Sequence, residues 1–374
     1  MRGQVSRQQP IFVTVNIEEK VPADHPLRAI KRQCDVIFGE MRRDFNAAYS
    51  PLGRASIPPE QLLKALLLQG LYSIRSEIQL MHAIDFNMLY RWFLDLALDE
   101  PVWTPETFSM NRQRFEQHGL LQKFFDRIVA TAIKGGLVSA DHFTVDGTLI
   151  QSWASLKSLK PKDDSQPSPT RDDDDPGNPT VNFHGQKRRN ATHQSTTDGE
   201  ALLARKGNGK EARLCHTGHV LMENRHGLCV AVGVDSADGR AERRCAKKLL
   251  QHLRRRHRLI PRTLGTDAGY DDGAFLAALE EDGITPHTPI REGPIRATDA
   301  AGQARRRARR RMKQVGYSIS QRIRKRVEEV FGWTKTVGGM ARTRFIGRWK
   351  IAQQMVATAA AYNLLRLTRL RPAT

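Results

Sequence analysis

The pattern of apolar residues changes once along this chain, at His142. From about residue 24 to 135 they recur at helical spacing, whereas HFTVDGTLI alternates as a strand does. HPLRAIKRQCDVIFGEM, SIPPEQLLKALLLQGLYSIRSEIQLMHAI and TPETFSMNRQRFEQHGLLQKFFDRIVATAIKGG read as helices. The last of these has Thr104 as N-cap, Pro105 at the first helical position and Gly135 as its stop. Short helices joined by turns suit a helix-turn-helix DNA-binding domain, and they suit any small helical bundle equally well.

Beyond His142 the order of elements points to mixed α/β. Two strands flank a turn at Arg225, His226 and Gly227, and an amphipathic helix covers Ala241 to Leu253. RTLGTDAGYDD reads as a strand ending in a loop, a short helix covers Gly273 to Asp282, and ITPHTPI is another strand. Two helices close the chain, one around Gln321 to Lys335 and one around Trp349 to Leu370. Residues 156–210 interrupt this order with five prolines (161, 167, 169, 176, 179) and the acidic run Asp172 to Asp175. Such a tract buries too little apolar surface to offset its ordering entropy, so much of it is expected to be a mobile insertion. The division that follows is a helical domain over 1–135 and an α/β domain over 136–374.

Charge narrows the partner. The 374 residues carry a net charge of +20, and basic residues that displace counterions from phosphates gain affinity by releasing them. Nucleic acid is therefore the leading partner. No run approaches the ~18 apolar residues of a membrane span, and the start, MRGQVSRQQPIFVTVN, lacks a signal-peptide core. Cys34, Cys215, Cys229 and Cys245 are too few for a disulfide framework, which favours a reducing compartment and the cytoplasm. No P-loop is present, so ATP use is not expected.

From Arg305 to Lys350, sixteen Lys and Arg stand against two acids, Glu328 and Glu329, so this segment carries most of the net charge. RRRARRRMK within it reads as a solvated charge run. Two adjacent glutamates in the most basic part of the chain need another explanation. On one continuous helix, Arg324, Glu328 and Lys335 share a face, while Glu329 points about 100° away beside Arg322 and Lys325. Ile323, Val327, Val330 and Thr334 form the stripe that packs inward. The face reads either as a salt-bridge ladder or as a metal-binding glutamate between cations that hold DNA phosphates.

Asp146 and Asp267 each follow a β-rich run and lie beside glycine. Taken singly, a turn or cap role is the commoner reading of either, and Asp141, Asp235, Asp271 and Asp272 compete with them. If they converge with Glu328, mutual repulsion raises their pKa values unless a cation sits among them. Mg²⁺ suits such a site, because it takes few protein carboxylates and completes its shell with water and phosphate oxygens. Two ions would serve phosphoryl transfer.

TVDGT around Asp146, GTDAGYDD around Asp267, and the R-x3-E-x6-K of Arg324, Glu328 and Lys335 together resemble the DDE transposases of bacterial insertion sequences. They resemble most closely the group named for insertion sequence five. FHGQKRRNATHQSTTD, GHVLMENRHGL, GYSISQRIRKRVEEVFGWTK and AAAYNLLRL look similar too, so the resemblance covers nearly the whole chain. It implies a ribonuclease-H-like catalytic domain, with a mixed sheet flanked by helices, after an all-helical N-terminal domain. It implies that Asp146, Asp267 and Glu328 are catalytic and hold two Mg²⁺ ions, for which Mn²⁺ would substitute. It further implies an enzyme of the bacterial cytoplasm, at the nucleoid, that binds its element's terminal inverted repeats in double-stranded DNA. Such an enzyme hydrolyses the strand ends and joins the freed 3′-hydroxyls to target DNA, as a homodimer in the complex. Arg324 and Lys335 would hold phosphates, with Arg322, Lys325 and Trp153 as further DNA contacts. The resemblance also calls for Tyr three residues before the motif Arg, where this chain has Gln321. A metal-dependent nuclease without strand transfer and a non-catalytic DNA-binding regulator are the alternative readings.

Cys215, His216, His219, His226 and Cys229 form a dense cluster, but their spacing matches no tetrahedral zinc pattern, and neighbours on a strand point to opposite faces. Trp333 and Trp349 read as core aromatics.

Overall fold

The computed structural model describes residues 16–50, 52–53, 56–162, 181–183, 186–207 and 210–370. The chain begins with α1 (Ile17–Lys20), α2 (Pro26–Ala48), α3 (Pro59–Leu71), α4 (Glu77–Phe86), α5 (Met88–Leu94), α6 (Pro105–Gln117) and α7 (Leu120–Lys134). Their ends are set by local chemistry. The Thr104 hydroxyl accepts from the Thr107 N–H at the start of α6, Ser76 accepts from Gln79 at the start of α4, and α7 stops at Gly135, with Gly136 at φ 68°.

The sheet is built round β1 (His142–Gln151). The short strands β2 (Leu159–Pro161), β3 (Val181–Phe183), β4 (Gln186–Arg188), β5 (His193–Ser195) and β6 (Leu202–Ala204) come next. They are followed by β7 (Arg213–Glu223), β8 (Leu228–Ser236), β9 (Thr263–Gly265) and β10 (Thr285–His287). On one edge β1 runs antiparallel to β7, which pairs in turn with β8 and β6. On the other edge it runs parallel to β9, and β9 runs parallel to β10. The β7–β8 hairpin turns at Gly227, whose φ of 68° favours glycine. α8 (Ala241–His257) returns the chain across β7, β8 and β1 to β9. This is a mixed α/β sheet with helices laid against it.

Four further helices follow: α9 (Gly273–Glu281), α10 (Ala300–Arg311), α11 (Val315–Arg324) and α12 (Val327–Thr336), before α13 (Arg348–Leu370) closes the chain. The helix expected around Gln321 to Lys335 is thus two helices. The break is a tightened step in which Arg326 N–H bonds to Ile323 O (2.9 Å) and Glu328 N–H to Lys325 O (3.0 Å), three residues back instead of four. Arg326 reaches away from this step to the carbonyls of Asn224 (2.7 Å) and Arg225 (3.0 Å), which anchors the corner to the β7–β8 turn. Val327, Val330 and Thr334 still pack inward, and Ile323 is half-buried.

α13 lies between two layers. It packs on β8 on one side and on α2, α3 and α7 on the other, and its small residues Ala359, Ala360 and Ala361 let neighbours come close. A Cβ at Gly70 of α3 would sit 3.5 Å from that of Ala361. One continuous apolar core therefore runs from α2 through α13 into the sheet. Asn363 fastens the helix to the sheet edge: its amide oxygen accepts from Cys229 N–H (2.9 Å) and its amide nitrogen donates to Cys229 O (2.7 Å).

The polar tract at 156–210 carries more order than its composition suggests. Residues 163–180, 184–185 and 208–209 lie outside the described residues, and the expectation of mobility there lies outside with them. In the described parts, β2 pairs with β5, and β6 adds to β7. Ala154, Leu159, Ala201, Leu203 and Leu214 form a small core of their own. Beside it, Asp198 Oδ2 accepts from Ser152 Oγ (2.7 Å) and lies 2.9 Å from His216 Nε2, all fully buried. A buried carboxylate with two partners pins the tract to β1 and β7.

Candidate active site

Asp146 lies in the middle of β1, and Asp267 lies two residues past the end of β9. Because Thr144 is in register with Gly265 on the parallel neighbour, the two aspartates stand abreast, each two residues further along. Asp146 Oδ1 accepts from Gly147 N–H (2.8 Å), and Oδ2 accepts from Arg324 Nη1 (3.0 Å). Asp267 caps a 3₁₀ turn over Ala268–Tyr270, with Oδ1 accepting from Gly269 N–H (2.9 Å). The cap reading of Asp267 and a place in a carboxylate cluster are therefore compatible. Glu328 sits in the first turn of α12, exposed, close enough that its charge acts on Asp146.

Burial, reinforced by the charges of Asp267 and Glu328, pushes the Asp146 carboxyl up to about 6 against the opposing pull of Gly147 N–H and Arg324. A fourth acid, Glu242 in the first turn of α8, belongs to the same neighbourhood. Burial, then Asp267 and Asp146, push it up to about 7. A Cβ on Gly269 would fall 2.7 Å from Glu242 Oε2 and 3.0 Å from Asp267 Oδ1, so both carboxylates converge on that bare backbone. A Cβ on Gly147 would fall 3.6 Å from Glu242 Cγ and 2.9 Å from His219 Nδ1. Sequence reasoning passed over Glu242, because an acid opening an arginine-rich helix reads as a partner of the helix dipole. The register that carries α8 back across β1 is what brings it here.

Asp267, Glu328 and Glu242 thus all lie within the field of Asp146, which alone of the four pairs with an arginine, in a chain where basic residues outnumber acids 60 to 40. Several acids elsewhere find cations: Asp271 has Arg305, Glu280 has Arg307 and Arg311, Asp235 has Arg244, and Glu329 has Arg366 at 3.0 Å. Asp267, Glu328 and Glu242 have no ion pair among the described residues, although Arg240, Arg243, Arg322 and Lys325 lie near in sequence. The donor set is all carboxylate oxygen, with a glycine where the oxygens converge, and it fits a hard divalent cation.

Two other groups are placed differently. Among the described residues, the His, Cys, Asp and Glu set whose ligand atoms all lie within 4.8 Å of one another is Asp126, His252 and His257; the acids round Asp146 are spread more widely. Asp126 has both carboxylate oxygens taken by protein partners, Oδ1 accepting from Gln122 Nε2 (2.9 Å) and Oδ2 from Arg256 Nε (3.0 Å). Of the cluster around Cys215, His216 pairs with Asp198, while His219 is fully buried with both ring nitrogens unpartnered and is held neutral down to about 4 by burial.

Arg322 and Lys325 are exposed. Lys335 and Trp153 line a groove of about 850 Å³ between the helical layer and α12, together with Arg75, Arg112, Arg342 and Arg344. Trp153 is 48% exposed, and the Arg342 guanidinium lies 4.8 Å over its ring. The structure brings Arg324 and the carboxylates together and sets Lys335 and Trp153 in this groove. Gln321 donates to Thr266 O (3.2 Å) and His287 O (2.7 Å), tying α11 across the ends of β9 and β10 beside Asp267. Trp333 packs edge-on against Tyr362, whereas Trp349 is 47% exposed and not the core residue expected. No helix among the described residues is long and apolar enough to cross a membrane.

A family model described as "Transposase DDE domain" matches residues 164–364, and one described as "Transposase domain (DUF772)" matches residues 15–114. Asp267 and Glu328 lie inside the first match, and Asp146 lies ahead of it. Curated proteins give no match. A cryo-EM structure of the piggyBac transposase synaptic complex with hairpin DNA is similar at 10% identity. It covers 91% of this chain and 75% of that one with a TM-score of 0.37, a likeness too loose to carry an inference.

Proposed function

The chain belongs to the DDE transposase family, and from that premise we propose that it mobilises an insertion sequence of the group named for insertion sequence five. It would bind the element's terminal inverted repeats, cleave the strand ends and join the 3′-hydroxyls to target DNA, acting as a dimer on paired ends without ATP. The observation that carries this reading is the gathering of Asp146, Asp267 and Glu328, of which Asp146 alone has an ion pair among the described residues, with Arg324, in a chain rich in cations. The parallel β1–β9 pair and the antiparallel β1–β7–β8 meander support a ribonuclease-H-like domain over 136–374, with a helical domain over 1–135 for DNA binding.

DDE transposases generally use divalent metal ions, and Asp146, Asp267 and Glu328 would hold a pair of Mg²⁺ ions. When bound, such ions activate the attacking oxygen and stabilise the leaving one. The protein's own groups do the rest. Arg324, held on Asp146 at 3.0 Å, fixes that carboxylate's orientation and places a cation where the scissile phosphate's charge grows. Exposed Arg322 and Lys325 grip the phosphate backbone beside it, and Lys335 with Trp153 holds the strand in the adjoining groove.

The test is end cleavage and strand transfer by wild type, Asp146→Asn and Glu328→Gln, in Mg²⁺ and in Ca²⁺. Loss of both activities in each variant supports the assignment. Activity surviving both substitutions would sink it, and cleavage without any joined product would make the protein a nuclease.

A further inference from the structure

Glu242 has no ion pair or hydrogen bond through its side chain among the described residues, and yet it does not turn out to solvent. Its Oε2 lies 2.7 Å from where a Cβ on Gly269 would stand, and Asp267 Oδ1 lies 3.0 Å from the same point. An acid that merely served the helix dipole at the start of α8 would gain by facing water or a neighbouring arginine. Arg240 and Arg243 stand on either side in sequence, and neither takes it in a hydrogen bond or close ion pair.

A second observation points to a ligand at the same spot. Tyr270, on the turn against which α8 packs, is fully buried with its hydroxyl unpartnered, within the fields of Glu242, Asp146 and Asp267. A buried hydroxyl beside carboxylates is ordinarily taken up as a donor to one of them. Left over, it is free to bond to something that enters between, such as an ion's water.

We propose that Glu242 supplies a fourth carboxylate to the divalent-cation site of Asp146, Asp267 and Glu328, closing it from the α8 side. The inference rests on the proposed reading of that site. A fourth acid raises the negative charge facing a cation and restricts the geometries available to it, which favours retention between the cleavage and joining steps.

The test is Mn²⁺ titration of the full-length, metal-free protein, followed by electron paramagnetic resonance, with thermal melting alongside. Glu242→Gln should weaken Mn²⁺ binding about tenfold, as loss of a supporting group does at metal sites. Thermal melting of the metal-free variant checks that it remains folded. Glu242→Asp, which keeps the charge but shortens the reach, should also bind Mn²⁺ more weakly. A mere helix-start acid would be served as well by Asp, so this arm decides the matter if Glu242→Gln fails to fold. Unchanged affinity in Glu242→Asp, with binding lost in Asp146→Asn, would overturn the role of Glu242 and leave the three-residue site standing. Unchanged binding in Asp146→Asn would overturn both.

Discussion

At the scale of single residues, the cluster round Asp146 is held in tension until something positive enters it. In the folded, metal-free protein the carboxyls of Asp146 and Glu242 keep their protons to about pH 6 and 7, against about 4 in an unfolded chain. The folded state then binds more protons than the unfolded one between about pH 4 and 7, so these two groups make stability fall as pH rises through that window. His219 and His287, kept neutral by burial down to about 4, act in the opposite sense. The diagnostic is therefore a difference. The stability gained by Asp146→Asn in EDTA should be near zero at pH 4 and grow to about 1–3 kcal/mol at pH 7, read by urea denaturation. A gain that did not change with pH would mean that no such repulsion exists. Gly269→Ala probes the same point from the backbone. The new Cβ would meet the ends of two flexible acids rather than backbone, so the fold should survive with a melting temperature within a few degrees. Cleavage should nonetheless fall at least about tenfold, since an ångström of misplacement is costly at a reacting centre. A Gly269→Ala protein that cuts at the wild-type rate would contradict the convergence of Asp267 and Glu242.

At the scale of elements, α11 and α12 decide how the helical side of the site meets the strand side. Gln321 makes two bonds to carbonyls at the ends of β9 and β10, and Arg324 lies three residues on. Gln321→Ala should cost about 1 kcal/mol in urea denaturation, because the Thr266 carbonyl loses its side-chain donor and the His287 carbonyl keeps only the longer bond from Thr266 N–H (3.3 Å). It should also lower cleavage by freeing the turn that aims Arg324; a variant as stable as wild type would show the tie to be incidental. This element also shows what the sequence could and could not reveal. The change of period at His142 marked the first strand, because burial on one sheet face imposes alternation. Helix phase separated Glu328 from Glu329, but it assumed one unbroken helix. The step at Lys325 and Arg326 is set by Arg326 reaching carbonyls about a hundred residues away, which no local pattern reports. Glu242 was illegible for the same reason: its setting depends on strand register and on where α8 crosses β1. In the tract at 156–210, the order of the described parts rests on a few apolar contacts and one buried Asp198, which composition does not report.

At the scale of the whole molecule, the charge of +20 divides into two kinds, and only one is available to DNA. In the run from Arg305 to Arg311, Arg305 is spent on Asp271 and Arg307 and Arg311 on Glu280, while Arg306 and Arg309 bind carbonyls of the loop before α10. This stretch, which reads as a solvated charge run in the sequence, clamps α9, α10 and their loop together. Arg322, Lys325 and Lys335 have no ion partner among the described residues. The two kinds should separate in DNA binding measured against salt. Each of Arg322→Ala and Lys325→Ala should reduce the slope of log K against log salt by about 0.9, the value of one phosphate contact on duplex DNA. Stability should hardly change, because both side chains are exposed. Arg307→Ala with Arg311→Ala should do the reverse. Glu280, only 16% exposed through its side chain, would lose both cations, and an unpaired, mostly buried carboxylate costs on the order of 3 kcal/mol. The salt slope would stay within about half a unit of wild type, since a charge already neutralised by Glu280 has few counterions to release. A full loss of slope in the double variant, with stability intact, would return the arginine run to the DNA-binding surface and leave Glu280 to other partners.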